Sequence, residues 1–538
     1  MSSLIKQIFD LIQLNNKLIA VESPLQERIR LLKNIASVCQ QHNINCYIWT
    51  LEDDELYQLI VNDQDLTLEP ETKYQAIAKN RREHYFEILR FWKTTDLQGI
   101  LILEGIFPWL GETFDPDFFL TAEWIKSALI NLKLYNRNSN KTAILLGPNA
   151  SLSTDIAPEV PTVVQQLPSV EEISTYLPLM LPNYSETEIN STAIACVGMY
   201  LADIEYGIRQ AIACGVCNAQ ELIKKLFTYK IDLFKRIYNV DFLLPPTIEI
   251  GGLELMQQAF RRYKRLLTPL AKAYNLRLPK GILLIGPPGT GKSHSAKACS
   301  ARLGLPLIIV EWGSFRSYGN LAEYKLKILL ALLDRLNSVI FYLDDFDKGF
   351  AGDDDLSKRL AGMLLTWMQE RTSEVLILAS VNRLDWLPPE LTRSGRFDDI
   401  FKVDLPNHGE RHTIFKIHLA RFDKRFRSGG DAFSTEEWQR LLKATNRCVG
   451  AEIQAIVERA AIATFCKMFP DDILPQGELP PLEITLSALL EARQNINPLA
   501  IREADRVESM RNKADLQGLP SSPVDSSIYS IGNVDIFG

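Results

Sequence analysis

The chain has 538 residues, 46 % of them hydrophobic and 23 % charged, which is the profile of a globular protein with about three or four domains. Its net charge of −7 disfavours nucleic acid as the main partner, because such binding needs a basic surface. No apolar run is long enough to cross a bilayer, and no signal-peptide pattern opens the chain. The eight cysteines are irregularly spaced, which fits a reducing compartment. We therefore expect a protein without a membrane partner, in the cytoplasm or an organelle stroma.

The first half of the chain alternates apolar strand candidates with sequence of helical period. The candidates begin near Lys17, Cys46, Gly99, Thr142 and Thr162. This alternation predicts an α/β domain with a parallel sheet. The loop after the first candidate, Glu22 to Arg28, has no glycine run and no lysine–serine pair, so we expect no triphosphate site there.

A glycine-rich loop near the middle of the chain follows the apolar segment Gly281 to Ile285 and precedes a helical pattern. Glycines let backbone N–H groups turn inward around phosphate oxygens, and the N-terminus of a helix favours the same anion. Lys292 is predicted to reach the β and γ phosphates of ATP, and the Ser293 hydroxyl to bind Mg²⁺. The predicted ATP-binding loop consists of Gly286, Pro287, Pro288, Gly289, Thr290, Gly291, Lys292 and Ser293.

A second apolar segment, Val339 to Leu343, runs directly into Asp344 and Asp345. A strand that ends in a carboxylate downstream of such a loop is the Walker B arrangement. Asp344 is predicted to hold Mg²⁺ through water, since this ion keeps several waters and needs few protein carboxylates. The predicted cofactors are therefore ATP and Mg²⁺.

Further motifs follow a third strand candidate, Val375 to Ala379. They are Ser380-Val-Asn-Arg383 and Leu387-Pro-Pro-Glu-Leu-Thr-Arg393-Ser-Gly-Arg396-Phe-Asp398, with Ile250-Gly-Gly-Leu253 before the glycine loop and Gly450-Ala-Glu-Ile453 after it. Together they resemble the AAA ATPases over roughly residues 245–510. The resemblance implies a P-loop NTPase (AAA) three-layer α/β sandwich with a helical lid.

The same resemblance implies roles for individual residues. Asn382 resembles the sensor that orients the attacking water or the γ phosphate. Arg393 and Arg396 resemble arginine fingers that reach the γ phosphate of a neighbouring subunit. Ile250 and Gly251 resemble the wall of the adenine pocket, and Ala451 stands where the family's lid approaches the nucleotide.

Two positions depart from the family pattern. Asp345 stands where the family usually has the Glu that polarises water, and one methylene less withdraws the carboxylate by about an ångström, which can cost about 10²-fold in rate. We therefore expect slow turnover. Family members that thread polypeptide place an aromatic–apolar–Gly motif after the second strand, whereas here the aromatics of Gly313 to Asn320 are off register. Threading is therefore in doubt.

The two halves also share details. Thr162 to Pro168 parallels Ile400 to Pro406, and Cys196-Val-Gly198 parallels Cys448-Val-Gly450. We predict a degenerate AAA-like α/β module without a P-loop at residues 1–215, the alternative being an unrelated α/β domain. The predicted remainder is a helical linker at 216–245, the ATPase core at 246–405, the lid at 406–512 and, from its composition, a disordered tail at 513–538.

This layout resembles the AAA open-reading-frame proteins of cyanobacteria and algal plastids. The motifs that carry the likeness are Leu365 to Glu370, Leu387 to Glu390 and Gly395 to Phe401. The resemblance implies ATPase chemistry, a homo-oligomer (a hexamer in the family) and a cytoplasmic or plastid-stroma location, but no substrate. We predict an ATP-hydrolysing, ring-forming remodeller of a protein partner; the alternative is a slow or non-hydrolysing ATP-dependent switch or scaffold.

Overall fold

The computed structural model describes residues 3–50, 54–62, 65–75, 84–112, 116–216, 218–350, 355–388, 391, 396–469 and 479–530. The chain divides into two compact units, Met1–Lys230 and Ile231–Gly538. Each unit contains one seven-stranded sheet. No helix in these described ranges is long and apolar enough to cross a membrane.

The first unit is built on a sheet in the order β4-β3-β2-β5-β6-β1-β7. Its strands are β1 (Leu18–Glu22), β2 (Cys46–Trp49), β3 (Leu56–Asn62), β4 (Asp65–Pro70), β5 (Gly99–Glu104), β6 (Lys141–Gly147) and β7 (Thr162–Val164). Its helices are α1 (Ser3–Gln13), α2 (Arg28–Gln41), α3 (His84–Thr94), α4 (Pro116–Tyr135), α5 (Val170–Tyr176), α6 (Glu186–Cys196), α7 (Leu201–Ala213) and α8 (Ala219–Tyr238), the last of which continues into the second unit. Alternate side chains of the buried strands enter two separate apolar clusters, so the sheet is the middle layer of three.

The second unit has the strand order β14-β13-β9-β12-β11-β10-β8. Its strands are β8 (Asp241–Leu243), β9 (Gly281–Ile285), β10 (Leu307–Glu311), β11 (Ile340–Asp344), β12 (Leu376–Val381), β13 (Asp399–Lys402) and β14 (Leu519–Pro520). Its helices are α9 (Glu254–Leu266), α10 (Pro269–Ala273), α11 (Lys292–Leu303), α12 (Ala322–Leu336), α13 (Asp355–Glu370), α14 (His408–Phe422), α15 (Thr435–Ala444), α16 (Gly450–Met468), α17 (Leu486–Gln494), α18 (Leu499–Arg502) and α19 (Ala504–Gln517). The helices that follow β13, α14 to α17, have a core of their own around Phe415, Trp438 and Ile456.

Each sheet contains five neighbouring parallel strands whose order is the same in both units. Numbered along the chain, the strands β1, β2, β5, β6 and β7 of the first unit lie in the order fifth, first, fourth, third, second. The strands β9 to β13 of the second unit lie in that order too. The two units thus share the order of their parallel strands, and the assignment of residues 1–215 as a degenerate AAA-like module stays a prediction. The antiparallel hairpin β3–β4, which the sequence pattern did not reveal, extends one edge of the first sheet.

The structure differs from the composition-based prediction in the tail. Residues 513–517 continue α19, and Leu519–Pro520 pairs with β13. Ser521 Oγ donates to the carbonyl of Lys402 at 2.5 Å, and Asp525 accepts from the backbone N–H of His408 at 3.1 Å. Composition reports the apolar surface that a segment can bury, but these contacts are backbone pairing and helix capping, which need little apolar surface. Residues 531–538 lie outside the described residues.

Candidate active site

The glycine loop lies between β9 and α11, at the carboxyl edge of the parallel sheet. Gly286 passes so close to the next strand connection that a Cβ there would lie 2.0 Å from the carbonyl oxygen of Val403. Gly291 has φ +101°, in the left-handed region, and directly precedes α11. The loop conformation therefore depends on glycine at both ends, and it directs the free N–H groups of α11 toward the cavity in front of it.

Lys292 begins α11 and is buried, with 7 % of its surface exposed. Its Nζ donates to the carbonyl oxygens of Gly286 and Pro287 at 2.7 and 2.8 Å, and to Asn382 Oδ1 at 2.8 Å. Burial lowers the pKa of Lys292 to about 8, although the nearby carboxylates, Asp345 first among them, act in the opposite direction. The ammonium group is thus held by neutral oxygens that phosphate oxygens could replace.

Ser293 and Asp344 face each other across the loop. The Ser293 Oγ lies 3.4 and 3.5 Å from the two carboxylate oxygens of Asp344, and Ser380 Oγ donates to Asp344 Oδ1 at 2.9 Å. Within the described part of the chain, no group of three or more His, Cys, Asp or Glu is arranged to hold a metal ion. One hydroxyl and one carboxylate fit Mg²⁺, because this ion completes its shell with waters and substrate phosphates.

Asn382 connects Lys292 to Asp345. Besides accepting from Lys292, its amide donates through Nδ2 to Asp345 Oδ1 at 2.9 Å. The other oxygen of Asp345, Oδ2, pairs with Lys348 Nζ at 2.5 Å. Asp345 itself has φ +46°, a left-handed conformation that is uncommon outside glycine. Both oxygens of the predicted water-polarising carboxylate are therefore occupied by protein donors.

Asp347 is a site residue that the sequence interpretation missed. It is buried, and it accepts from the backbone N–H groups of Asn382 and Arg383 at 3.2 and 2.9 Å. Burial raises the pKa of Asp347, and the two N–H donors oppose that rise. The carboxylate thereby fixes the segment that carries Asn382. The acidic run Asp344-Asp345-Phe-Asp347 was a possible signal for it.

A cavity of about 440 Å³ extends from the glycine loop to the helices that follow β13. Its lining includes the predicted Ile250, Gly251 and Ala451 together with Ile414, Ile417, His418 and Gln454, which the sequence interpretation did not name. The backbone N–H of Ala451 donates to the carbonyl of Gly289 at 3.3 Å, so α16 contacts the loop directly. The cavity therefore offers an apolar end for a base and a polar end, at Lys292 and Asp344, for phosphates.

Comparison with known proteins agrees with this geometry. Residues 282–405 match the model of the ATPase family associated with various cellular activities (AAA). This segment is an AAA domain.

Relatives that match most of the chain belong to the group of AAA proteins that the sequence predicted. The protein described as "Uncharacterized AAA domain-containing protein ycf46" of Guillardia theta is 28 % identical over 74 % of this chain and 78 % of its own length. Its counterpart in Gracilaria tenuistipitata var. liui is 26 % identical over 89 % of this chain and 97 % of its own. A crystal structure of the FIGL-1 AAA domain in complex with ADP has 19 % identity and a TM-score of 0.43, and the match covers 52 % of this chain and 93 % of that one.

The two predicted arginine fingers differ in what can be said of them. Arg396 is described, and it is not among the residues that line the cavity of the AAA domain in its own chain. Arg393 lies outside the described residues. A finger would act on the nucleotide of a neighbouring subunit, so the absence of Arg396 from this lining does not contradict the assignment. Both assignments stay predictions.

Two aromatic side chains after β10, Trp312 and Phe315, belong to the core of the AAA domain, whereas Tyr318 is half-buried, with its ring centroid 6.1 Å from that of Phe315. Trp312 and Phe315 are buried, and the ring centroids of Trp312 and Phe346 are 5.3 Å apart. The rings of Trp312 and Phe315 therefore pack inside the domain and do not form an exposed aromatic motif. This arrangement supports the doubt about threading that the sequence raised.

The first unit has an ion pair where the AAA domain has its predicted phosphate-binding and metal-binding residues. Arg28 begins the helix after the first parallel strand, as Lys292 does, and Glu104 ends the third parallel strand, as Asp344 does. Arg28 donates to both carboxylate oxygens of Glu104, at 2.6 and 2.7 Å. The neighbouring Glu27 is buried and accepts from the backbone N–H of Ala202 at 2.6 Å, near the start of α7. Contacts within the protein thus take the place that corresponds to the predicted lysine–phosphate contact of the AAA domain.

Proposed function

We propose that this chain is a Mg-dependent ATPase that hydrolyses ATP slowly and works as a ring-forming remodeller of a protein partner. The observation that carries the proposal is the chain of contacts Lys292–Asn382–Asp345, which adjoins the Ser293–Asp344 pair inside the cavity. Phosphoryl transfer to water requires a cation that binds the phosphates, residues that hold Mg²⁺, an amide that orients the water and a carboxylate that polarises it. The four roles fall to Lys292, the pair Ser293 and Asp344, Asn382 and Asp345 in this proposal.

In the binding step, Lys292 would exchange two loop carbonyls for phosphate oxygens and so regain the charge compensation that burial denies it. The N–H groups at the start of α11 would bind the same phosphates. Ser293 and Asp344 would hold Mg²⁺, which neutralises charge that develops during transfer. The apolar lining around Ile250 and Ala451 would exclude water from the base.

In the hydrolytic step, Asp345 would polarise the attacking water while Asn382 orients it. Two features slow this step. The Asp345 side chain is one methylene shorter than Glu, and its Oδ2 is already paired with Lys348. A water must therefore compete with an ammonium group for the carboxylate that activates it. This competition is the physical reason to expect slow turnover.

The assembly and the client belong to the proposal as well. The Cell division cycle protein 48 homolog of Archaeoglobus fulgidus is 29 % identical over 47 % of this chain, and the ATP-dependent zinc metalloprotease FtsH of Mycoplasmopsis pulmonis is 31 % identical over 35 %. By this likeness we propose a homo-hexamer in which Arg393 and Arg396 reach a neighbour. The first unit, in which Arg28 pairs with Glu104, would recruit the protein partner in the cytoplasm or the plastid stroma.

A second candidate function is an ATP-dependent switch or scaffold that signals through its nucleotide state. Two observations favour it: the Asp345–Lys348 pair, which opposes hydrolysis, and the burial of Trp312 and Phe315, which leaves these rings unable to grip a threaded polypeptide. In a switch, ATP binding would reposition α16 through the contact of Ala451 with Gly289, and hydrolysis would only reset the state.

One experiment separates the two functions. Turnover of Mg-ATP and the mass of the oligomer are measured for the wild type in ATP and in ADP, with Lys292→Ala as the variant that cannot hold the phosphates. Sustained turnover that depends on a ring supports the remodeller. A nucleotide-dependent change of mass without sustained turnover supports the switch. Equal behaviour of wild type and Lys292→Ala in both assays contradicts both functions.

A further inference from the structure

The hydroxyl of Tyr342 lies between the two residues predicted to hold Mg²⁺. Tyr342 is in the middle of β11, and its side chain is buried in the apolar cluster beneath the glycine loop. Its Oη is 2.8 Å from Asp344 Oδ1 and 3.1 Å from Ser293 Oγ. A buried phenol hydroxyl needs hydrogen-bond partners, and these two oxygens supply them.

The direction of the two hydrogen bonds follows from a count of protons. A phenol hydroxyl has one proton to donate and lone pairs to accept with, whereas an ionised carboxylate can only accept. The Tyr342 proton therefore goes to Asp344, where the bond is shorter and charge-assisted. In the contact with Ser293, the phenol oxygen is then the acceptor and the serine hydroxyl is the donor.

This direction orients the lone pairs of Ser293. Among the described residues, the other acceptors of a hydrogen bond from that hydroxyl are the Asp344 oxygens at 3.4 and 3.5 Å, which is long for an O–H···O bond. With its proton directed to Tyr342, the serine oxygen has lone pairs left for a cation. If the serine proton pointed at Asp344 instead, it would occupy a carboxylate that the cation needs.

The same hydroxyl contributes to a difference in hydrogen bonding between the two carboxylate oxygens of Asp344. Oδ1 accepts from Tyr342 Oη, from Ser380 Oγ at 2.9 Å and from the backbone N–H of Asp345 at 3.1 Å. Within the described residues, the contact recorded for Oδ2 is the long one with Ser293. Oδ1 is thus saturated by protein donors, and Oδ2 is left for a metal-bound water.

We propose that Tyr342 is a positioning residue for the Mg²⁺ site; this inference rests on the Mg-ATP binding proposed above. It acts through Ser293 and Asp344 and touches neither nucleotide nor metal itself. Groups that orient metal ligands in this way typically change metal affinity by about 10- to 100-fold when they are removed. Tyr342→Phe keeps the ring in the core and removes only the hydroxyl.

The test measures ATP binding by calorimetry, with EDTA and then at rising Mg²⁺ concentration. Mg²⁺ should increase the affinity for ATP, and we expect Tyr342→Phe to raise about tenfold the Mg²⁺ concentration at which half of this increase is reached. The affinity for ATP in EDTA should be unchanged. The matched control is Tyr263→Phe: this buried tyrosine of the same unit also donates to an aspartate, Asp399, but neither residue lines the cavity. It should behave as the wild type.

A double-mutant cycle with Ser293→Ala extends the test. If Tyr342 acts through the serine, Tyr342→Phe should raise the Mg²⁺ midpoint much less in the Ser293→Ala background than in the wild type. An unchanged or lowered Mg²⁺ midpoint in Tyr342→Phe, or an equal loss of ATP affinity with and without Mg²⁺, would overturn the inference. If the wild type binds ATP equally well with and without Mg²⁺, or not at all, the proposed function fails first, and the two failures are thereby distinguished.

Discussion

The affinity for ATP should fall as the pH rises above about 8, because Lys292 must be charged to hold the phosphates. Burial lowers the pKa of Lys292 to about 8 in the nucleotide-free protein. A triphosphate beside the ammonium group favours its charged form, so the pKa of Lys292 rises when ATP binds. Binding above pH 8 is therefore linked to the uptake of a proton.

The magnitude follows from the fraction of charged lysine. At pH 7 nearly all of the nucleotide-free protein has a charged Lys292, whereas at pH 9 only about a tenth does. The affinity for Mg-ATP should thus fall about tenfold between these pH values, equivalent to about 1.4 kcal/mol. An unshifted lysine, with an ordinary pKa near 10.5, would produce almost no change over the same range.

Calorimetry at pH 7 and pH 9, in buffers with different ionisation enthalpies, gives both the affinity and the number of protons taken up. We expect close to one proton per ATP at pH 9 and almost none at pH 7. The control is Lys292→Arg, since a guanidinium stays charged over this range and should abolish the pH dependence. Constant affinity between pH 7 and 9 without proton uptake would refute the lowered pKa of Lys292 on which this prediction depends.

Three further predictions concern hydrolysis. Asp345→Glu should raise turnover and Asp345→Asn should lower it with ATP binding retained; a rate that neither change affects would show that this carboxylate does not polarise the water. Lys348→Met should raise turnover by up to about fivefold by releasing Asp345, since partly exposed ion pairs contribute about 1 kcal/mol or less; an unchanged or lower steady-state rate would contradict this. Arg393→Ala should bind ATP but lose about 10³-fold or more in turnover, and mixing it with Lys292→Ala should restore part of the activity; mixed oligomers that stay inactive would exclude the finger.

Local sequence was enough to predict the parts of the site that depend on local backbone. The glycine loop, its lysine and the strand that ends at Asp344 lie in the predicted strand–loop–helix order, because residue type alone restricts those conformations. The strand candidates of the first half also correspond to β1, β2, β5, β6 and β7.

The contacts that tune the site were not predictable in this way. Tyr342 looks like an ordinary apolar-strand position, and its role depends on Ser293, 49 residues away in sequence. The pairing of Arg28 with Glu104 spans 76 residues. Such contacts depend on which strands become neighbours, and hydrophobic periodicity does not encode that order.

The number of nucleotides bound per chain tests the account most directly. The AAA domain has the glycine loop that we propose holds a triphosphate, whereas in the first unit Arg28 and Glu104 occupy the corresponding place. Calorimetric titration with ATP and Mg²⁺ should therefore give one site per chain in the wild type and a site lost or greatly weakened in Lys292→Ala. Two sites per chain, or one site with the same affinity in Lys292→Ala, would contradict the account.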